Sequence, residues 1–309
     1  MPELPEVEVV RRGLADHAVG RRIDAAAFTG HRVARGHPGG AEGLADELAG
    51  ARIHSAERRG KYLWLTLGDG EPEAGERALV VHLRMSGQLL VASPELPAAR
   101  HTHARLRLSD GQELRFIDQR TFGYMTTETL VRDPHAAPAG PARVVPASIA
   151  HIAPDPFEAA FDVRATAKRM RSRDVEIKRQ LLEQTLLSGI GNIYADEALW
   201  TARVHGRRLG SRLTLTRVVE LIESAREVMD RALDAGGTSF DALYVNVNGD
   251  SGYFARSLNA YGRLGEPCPR CGEPMSKESI GGRGSYYCPT CQPAPRKRRG
   301  KPAERTMRP

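Results

Sequence analysis

The stretch at residues 268–291, "CPRCGEPMSKESIGGRGSYYCPTC", holds all four cysteines of the 309-residue chain. They form two Cys-x-x-Cys pairs, Cys268 with Cys271 and Cys288 with Cys291, sixteen residues apart. Each pair fits one tight turn, and a metal bound by four thiolates closes the hairpin between the turns. A disulfide framework would need an oxidising compartment, which nothing in the sequence indicates. The stretch therefore predicts a zinc ribbon with one Zn²⁺, which is structural because four thiolates leave no coordination position for water.

Beyond the ribbon lies a basic tail, "QPAPRKRRGKPAERTMRP" at 292–309, with seven Lys or Arg and one Glu. These residues account for six of the seven net positive charges, so the rest of the chain is nearly neutral. The proline-rich composition without apolar periodicity predicts that 293–309 is disordered. Such a tail either keeps the protein soluble or makes loose contacts with phosphates.

Upstream of the ribbon the pattern is helical. Apolar residues recur at helical spacing over four segments, 157–172, 174–187, 192–203 and 214–235. In "LLSGIGNIYADEALW", Gly189 and Gly191 permit a tight turn whose backbone amides open into a helix near Asn192. This turn is either an anion site or a packing joint between helices. Arg173 and Lys178 lead into the same unit, where they could reach phosphates.

The first half of the chain has the pattern of short strands. From about residue 21 to 130, apolar stretches such as "KYLWLTL" and "ALVVHLRM" are separated by Gly, Asp and Pro turns, which predicts an antiparallel β-sandwich. The proline-rich segment 133–156 has little periodicity and is predicted to be a linker. The chain is therefore expected to be an α+β protein with five parts: 1–132, a linker at 133–156, a helical domain at 157–262, the zinc ribbon at 263–292 and the tail at 293–309.

The first ten residues, "MPELPEVEVV", begin an amphipathic helix over 3–19. Prolines and acidic side chains suit a first helical turn, so one interpretation is simply a helix start. A second interpretation is chemical. Removal of Met1 leaves Pro2 as a secondary amine, and an α-amino group has a pKa of about 8 against about 10.4 for lysine. Unprotonated amines attack carbon, and an attack on a sugar C1′ would give an iminium, with Glu3 as the proton donor.

Taken together, these stretches resemble the formamidopyrimidine-DNA glycosylase family. The resemblance covers nearly the whole chain, in order: "MPELPEVE", "RRGKYL" at 58–63, "HLRMSGQL" at 82–89, "DQRTFG" at 118–123, "IKRQLLEQTLLSGIGNIYADEAL" at 177–199, "YGRLGEPCPRCG" at 261–272 and the last cysteine pair. It implies a helix-two-turn-helix unit and a base-excision repair enzyme. The enzyme would remove oxidised purines, 8-oxoguanine and formamidopyrimidines, from duplex DNA and cleave the strand by β,δ-elimination.

The resemblance also implies the catalytic residues. Pro2 would attack C1′ of the lesion nucleotide as a Schiff-base nucleophile, and Glu3 would donate a proton. Lys61 would assist β-elimination. Arg283, in the zinc hairpin, would hold the phosphate beside the lesion and assist δ-elimination, a contact for which a guanidinium is suited.

Further residues are implied to contact DNA. Met85, Arg120 and Phe122 match the family's set that fills the gap left when a base is turned out of the duplex. Without the resemblance, core packing would be the simpler interpretation of Met85 and Phe122. His101 and Asn192 match DNA contacts. The loop "SFDALYVNVNGDSGYF" at 239–254, expected to close over the extruded base, departs from the family pattern, and Gln119 stands where proline is common.

Two other functions remain as alternatives. One is an endonuclease VIII-like glycosylase for oxidised pyrimidines, and the other is a DNA-binding homologue without catalysis. Damaged double-stranded DNA is the expected partner. The chain lacks an apolar run of the ~20 residues that cross a bilayer, so no membrane association is expected. We further expect no nucleotide cofactor, a monomer, and a cytoplasmic, nucleoid-associated location.

Overall fold

Two antiparallel sheets face each other in the N-terminal region. The computed structural model describes residues 2–136, 143–237 and 257–295. The first sheet has the strand order β1-β6-β7-β5, with β1 (Ile23–Phe28), β5 (Gly87–Ala92), β6 (Thr102–Leu108) and β7 (Glu113–Asp118). The second has the order β2-β3-β4-β8-β9, with β2 (Ile53–Arg59), β3 (Tyr62–Leu67), β4 (Arg77–His82), β8 (Tyr124–Arg132) and β9 (Val144–Pro146).

The space between the sheets is filled by apolar side chains from both of them. Leu106 and Phe116 of the first sheet and Leu65 and Val81 of the second belong to one buried cluster. Side chains alternate between the faces of a strand, so each strand can direct one set of residues into this core. The arrangement confirms the predicted β-sandwich in an α+β protein.

Helices α1 (Leu4–His17) and α2 (Gly40–Leu48) flank the sandwich. The apolar stripe of α1 is divided between two cores. Val7, Val10 and Leu14 pack into the sandwich, whereas Leu4 belongs to the core of the helical domain. The first helix therefore connects the two domains through its own packing.

The predicted linker at 133–156 contains a short β-strand and buried apolar residues. Residues Val144–Pro146 form β9, which pairs with β8 and extends the second sheet by one edge strand. Ile149 and Ile152 are buried in a third apolar cluster with Trp64. The prolines hid this strand in the sequence, because proline is not compatible with a central strand. An edge strand tolerates proline, and β9 is an edge strand.

The helical domain contains α3 (Val163–Arg171), α4 (Ile177–Leu181), α5 (Asn192–Thr201) and α6 (Leu215–Asp234). The predicted helix at 174–187 is only five residues long, because the chain turns after Leu181. At Gly189 the backbone has φ +91°, and its amide donates to Gln184 Oε1 at 3.0 Å. A glycine is needed there because other residues rarely adopt that conformation. The result is the expected pair of turns before α5.

The last described element is a two-stranded hairpin of β10 (Ser276–Ile280) and β11 (Arg283–Tyr287). Beside it, the four cysteine Sγ atoms all lie within 4.8 Å of one another. The Sγ of Cys271 is 3.5 Å from those of Cys288 and Cys291. Ligands at about 2.3 Å from a tetrahedral Zn²⁺ lie about 3.8 Å apart, so the sulfurs match such a site. The predicted structural zinc site is confirmed in its ligand set.

Polar contacts hold the two large domains together. Arg59, at the end of β2, is fully buried and forms ion pairs with Asp133 and Glu158, the latter at 3.0 Å. Arg58 pairs with Glu8 of α1 at 3.0 Å and with Asp155 at 2.7 Å. Buried charges are costly unless each is paired and hydrogen-bonded. The relative position of the domains is therefore set by matched charges as well as by apolar packing.

Across the described ranges, no helix combines the length and the apolar character needed to cross a bilayer. The predicted lesion loop at 239–254 and the tail beyond Pro295 lie outside the described residues.

The ion pairs of Glu8 predict an acid-sensitive contact between α1 and β2. Burial opposes ionisation, but bonds from Arg11 and Arg58 dominate and lower the pKa of Glu8 from 4.5 to about 2. Its stabilising effect is therefore complete above pH 4.5 and lost as the pH falls toward 2. We expect Glu8→Gln to lower the free energy of unfolding at pH 7 by about 2–3 kcal/mol, allowing for solvent screening. It should also flatten the loss of stability between pH 5 and 2.

Denaturant titrations at several pH values measure both effects. The matched control is Asp24→Asn, because Asp24 pairs with Arg22 on the exposed surface and should matter by less than about 0.5 kcal/mol. Equal effects of the two variants would contradict the role of Glu8.

The zinc site predicts that Cys288→Ser loses the metal, because the hairpin depends on four thiolates for its fold. Arg283→Ala should keep it, since Arg283 is exposed on the same hairpin and not among the ligands. Elemental analysis of purified protein measures the zinc content. One zinc per chain in the Cys288→Ser variant would show that the four-cysteine assignment is wrong.

Candidate active site

Three backbone segments meet where the domains join: the start of α1, the turn between β2 and β3, and the turn before α5. The Leu4 amide donates to the Gly189 carbonyl at 3.1 Å. A Cβ on Gly60, at φ +55°, would lie 2.8 Å from the Gly189 nitrogen. One on Gly191 would lie 2.2 Å from Glu3 Cδ. These distances leave no room for a side chain, so both glycines are required by the close approach.

Glu3 occupies the start of helix α5. Its carboxylate accepts hydrogen bonds from the backbone amides of Gly191 at 2.7 Å, Ile193 at 3.0 Å and Tyr194 at 3.4 Å. The first amides of a helix have no partner within the helix and favour a negative charge. The turn at 188–191 is thus an anion site, as one of the two sequence interpretations has it. In this structure the anion is the chain's own Glu3.

Glu3 and Lys61 are an acid and an amine whose pKa values both differ from their ordinary values. Burial raises the pKa of Glu3 above its ordinary value, against the opposing charge of Lys61. Burial also lowers the pKa of Lys61, and the positive charge of Arg283 lowers it further, while Glu3 acts in the opposite direction. The Lys61 Nζ donates to the Ile190 carbonyl at 2.9 Å. The two shifts bring the pKa values of an acid and an amine closer together at one site, which is typical of groups that transfer protons.

Pro2 precedes Glu3 in the chain and is also buried. The next residues are firmly held, since the Glu3 amide donates to Glu6 Oε2 at 2.8 Å and the Tyr194 hydroxyl donates to Glu6 Oε1 at 2.7 Å. Chain ends usually fray unless they are held in this way. Glu6 was not among the sequence-predicted residues, although its place three residues after Glu3 matches a helix capping box.

The zinc hairpin places Arg283 close to the same group. Arg283 is exposed and interacts electrostatically with Lys61. The carbonyl of the next residue, Gly284, accepts hydrogen bonds from Asn192 Nδ2 at 3.0 Å and from Lys178 Nζ at 2.7 Å. Asn192 is thus a link between α5 and the hairpin as well as a predicted DNA contact.

Lys178 and Arg173, both predicted to reach phosphates, each form an ion pair with an acidic residue of the chain. Lys178 is fully buried, with its Nζ 2.6 Å from Asp196 Oδ1, so in this conformation it cannot reach a phosphate. The expected phosphate contact is therefore replaced by an internal ion pair, because the helix start buries this side chain under the hairpin. Arg173 is partly exposed and pairs with Glu183 at 2.9 Å.

Met85 and Phe122 protrude from the surface, with 44% and 46% of their area exposed. Met85 lies between β4 and β5, and Phe122 lies between β7 and β8. The Nη1 of Arg120 is 3.8 Å from the Met85 sulfur, and Phe122 follows two residues after Arg120 in the same turn. We refer to these three residues as the protruding group. Exposed large apolar side chains are not core residues, and the core-packing interpretation of Met85 and Phe122 is wrong.

A buried carboxylate organises this protruding group. Asp118 accepts from the Ser86 hydroxyl at 2.5 Å and from the amides of Arg120 at 3.1 Å and Gly123 at 2.7 Å, which joins the two turns. The carbonyl of His101, at φ +68°, accepts from the Asp118 amide at 3.0 Å. Asp118 begins the "DQRTFG" motif, but its role could not be predicted from the sequence, because a single buried aspartate has no recognisable pattern.

His82 is a further residue that sequence reasoning did not single out. Its ring lies between those of Tyr62 and Tyr124, with centroids 4.9 and 5.7 Å away. Burial and the positive charges of Arg84 and Lys61 lower the pKa of His82 to about 3. The imidazole is therefore neutral at physiological pH, and it lies within the electrostatic range of Lys61.

Models of known families match three parts of the sequence. The formamidopyrimidine-DNA glycosylase N-terminal domain matches residues 1–125, and the H2TH domain of the same enzyme matches residues 152–243. The zinc finger found in FPG and IleRS matches residues 265–294. Together these matches account for most of the chain, in the order that the structure has.

Individual relatives are similar over nearly their whole length. Formamidopyrimidine-DNA glycosylase of Rhodococcus jostii is 56% identical over 297 residues, which cover 96% of this chain and 98% of the relative. A Lactococcus lactis FPG mutant in complex with Fapy-dG-containing DNA is 33% identical, with a TM-score of 0.80 and coverage of 95% of this chain and 100% of that one. Lactococcus lactis Fpg with abasic-site DNA is 33% identical, with a TM-score of 0.78 and coverage of 94% and 99%. The chain belongs to the formamidopyrimidine-DNA glycosylase family.

Proposed function

We propose that this protein excises oxidised purines from duplex DNA and then cleaves the strand at the resulting abasic site. As a member of its family it is a DNA glycosylase with abasic-site lyase activity. The observation that supports the proposal most directly is the Glu3 and Lys61 pair, held beside a buried Pro2 where the domains meet. A DNA-binding homologue without catalysis would have no use for two shifted ionisable groups at this position.

The chemistry begins at Pro2. After removal of Met1, the proline nitrogen attacks C1′ of the lesion nucleotide, and the bond between C1′ and the base breaks with its electron pair leaving on the base. Glu3, with its raised pKa, donates the proton that opens the sugar ring at O4′. The proline nitrogen loses its own proton to the departing base, and its lone pair then displaces O4′ from C1′. The product is an iminium between Pro2 and C1′. The iminium acidifies the C2′ protons, because it withdraws electrons from the neighbouring carbon.

Strand cleavage follows from that acidity. A base removes a C2′ proton, and the bond between C3′ and its phosphate oxygen breaks as the phosphate leaves. Lys61 suits this base because burial lowers the pKa of its amine, so that a larger fraction is neutral. Arg283 is exposed within electrostatic range of Lys61, and a guanidinium there can hold a phosphate through two parallel hydrogen bonds.

The target base must leave the duplex before Pro2 can reach the sugar. The protruding group of Met85, Arg120 and Phe122 is suited to fill the vacated space: two apolar side chains can wedge into the stack, and a guanidinium can bond the orphaned base. We also propose that the protein acts as a monomer on nucleoid DNA in the cytoplasm, without a nucleotide cofactor.

The nucleophile is tested by Pro2→Gly. We expect the variant to fold and bind duplex DNA, but to release base slowly and form little covalent adduct when the imine is reduced with borohydride. Glycine retains a primary amine, so a weak adduct remains possible. Trapping should be measured on duplexes with 8-oxoguanine and with an oxidised pyrimidine. Preferential trapping of the pyrimidine duplex would favour the endonuclease VIII-like alternative, and wild-type trapping by Pro2→Gly would refute the nucleophile.

The wedge is tested by Met85→Ala on two substrates. Unstacking a base costs a few kcal/mol, and about 1.4 kcal/mol corresponds to tenfold in rate. We therefore expect excision of 8-oxoguanine to slow by about 10-fold to 100-fold. Cleavage at a preformed abasic site should change much less, because no base has to be extruded. Leu96→Ala is the matched control, as an exposed apolar residue outside the group. Equal losses on both substrates would contradict the wedge.

A further inference from the structure

A buried ion pair lies directly behind the strand that begins with Arg283. Lys178 of α4 and Asp196 of α5 are both fully buried, and their charged atoms are 2.6 Å apart. Neither charge reaches the solvent, so neither can bind DNA directly. A buried pair is rarely a net source of stability, because desolvation of both ions offsets their attraction. The role of the pair therefore lies in the groups to which it is hydrogen-bonded.

Both members of the pair bind β11. Lys178 Nζ donates to the Gly284 carbonyl at 2.7 Å. Asp196 accepts from the Ser285 hydroxyl at 3.1 Å and from the Tyr286 amide at 3.0 Å. In a two-stranded hairpin, β11 has one edge without a strand partner. The buried pair satisfies backbone groups along that edge, and so fixes the three residues that follow Arg283.

Arg283 itself is exposed, and its charge is near enough to Lys61 to lower the pKa of that amine. A long side chain on a free hairpin would sample many positions, whereas one on an anchored strand starts from a fixed Cα. The anchoring charges come from the helical domain, so the position of Arg283 is defined relative to α5 and hence to Glu3 at its start.

We propose that Asp196, together with Lys178, is a positioning residue for Arg283 in the second elimination; this rests on the function proposed above. In that step the C4′ proton passes to water and the bond between C5′ and its phosphate oxygen breaks, with the electron pair leaving on the phosphate. The Arg283 guanidinium stabilises the charge that develops on the leaving phosphate. A displacement of about 1 Å at such a contact can cost about 100-fold in rate.

The experiment compares Asp196→Asn with the wild-type protein on a duplex with a preformed abasic site and on one with 8-oxoguanine. Sequencing gels separate the product of β-elimination alone from that of β,δ-elimination. We expect the δ step of Asp196→Asn to slow by about 10-fold to 100-fold, so that the β product accumulates. Base release should slow far less. Arg283→Ala should give the same pattern, and the double variant should be no worse than Arg283→Ala alone, as expected for residues that act as a unit.

Two further variants keep the test decisive. Glu278→Gln is the matched control, because the Glu278 carboxylate pairs with Arg207 at 2.6 Å and only its backbone pairs with Ser285, so it should leave the product ratio unchanged. Ser285→Ala removes a single bond to Asp196, so it tests the same contact if Asp196→Asn fails to fold, and it should shift the ratio in the same direction. Zinc content and binding of an abasic-site analogue report the fold of each variant.

The outcomes separate this inference from the proposed function. If the wild-type protein cleaves neither substrate, the proposed function fails. If it stops at the product of β-elimination, the proposed role of Arg283 in the second elimination is wrong, and so is this inference. If it completes both eliminations and Asp196→Asn or Ser285→Ala, folded and zinc-bound, shows the wild-type product ratio, the positioning role alone is overturned.

Discussion

The carboxylate of Glu3 at the start of α5 is the interaction on which the site depends. Amides of the first helical turn have no partners within the helix, and burying them unpaired would cost free energy. Glu3 satisfies three of them from the other domain. The N-terminal end of the chain is thus held as the cap of a distant helix. Burial raises the pKa of Glu3, while the charge of Lys61 and the amide hydrogen bonds act in the opposite direction.

That contact is possible only because the backbones approach very closely. Gly60, Gly189 and Gly191 lie where three segments touch, and a methyl group on any of them would overlap a neighbouring atom. Leu4 inserts into the core of the helical domain while the rest of α1 packs on the sandwich. Shape and charge therefore act together: apolar packing brings the segments into contact, and the buried arginines Arg58 and Arg59 set the alignment through matched carboxylates.

The exposed side chains proposed to contact DNA depend on buried carboxylates elsewhere in the fold. Asp118 shapes the two turns that present Met85, Arg120 and Phe122, and Asp196 holds the strand that presents Arg283. In each case a fully buried aspartate supports the backbone of an exposed side chain. An exposed residue can be held in place in this way and stay accessible, because its backbone rather than its side chain is fixed.

Local patterns in the sequence determined much of this protein. The spacing of the cysteines indicates a four-thiolate site, apolar periodicity indicates strands before helices, and ordered motifs indicate the family. These features are local because a turn, a helix face or a metal loop involves residues near one another in the chain. Only the tertiary structure decided that the anion at α5 is Glu3, that Lys178 is buried rather than exposed, and that residues 144–146 extend a sheet. Each of these depends on partners far apart in sequence, whose pairing and burial no local pattern encodes.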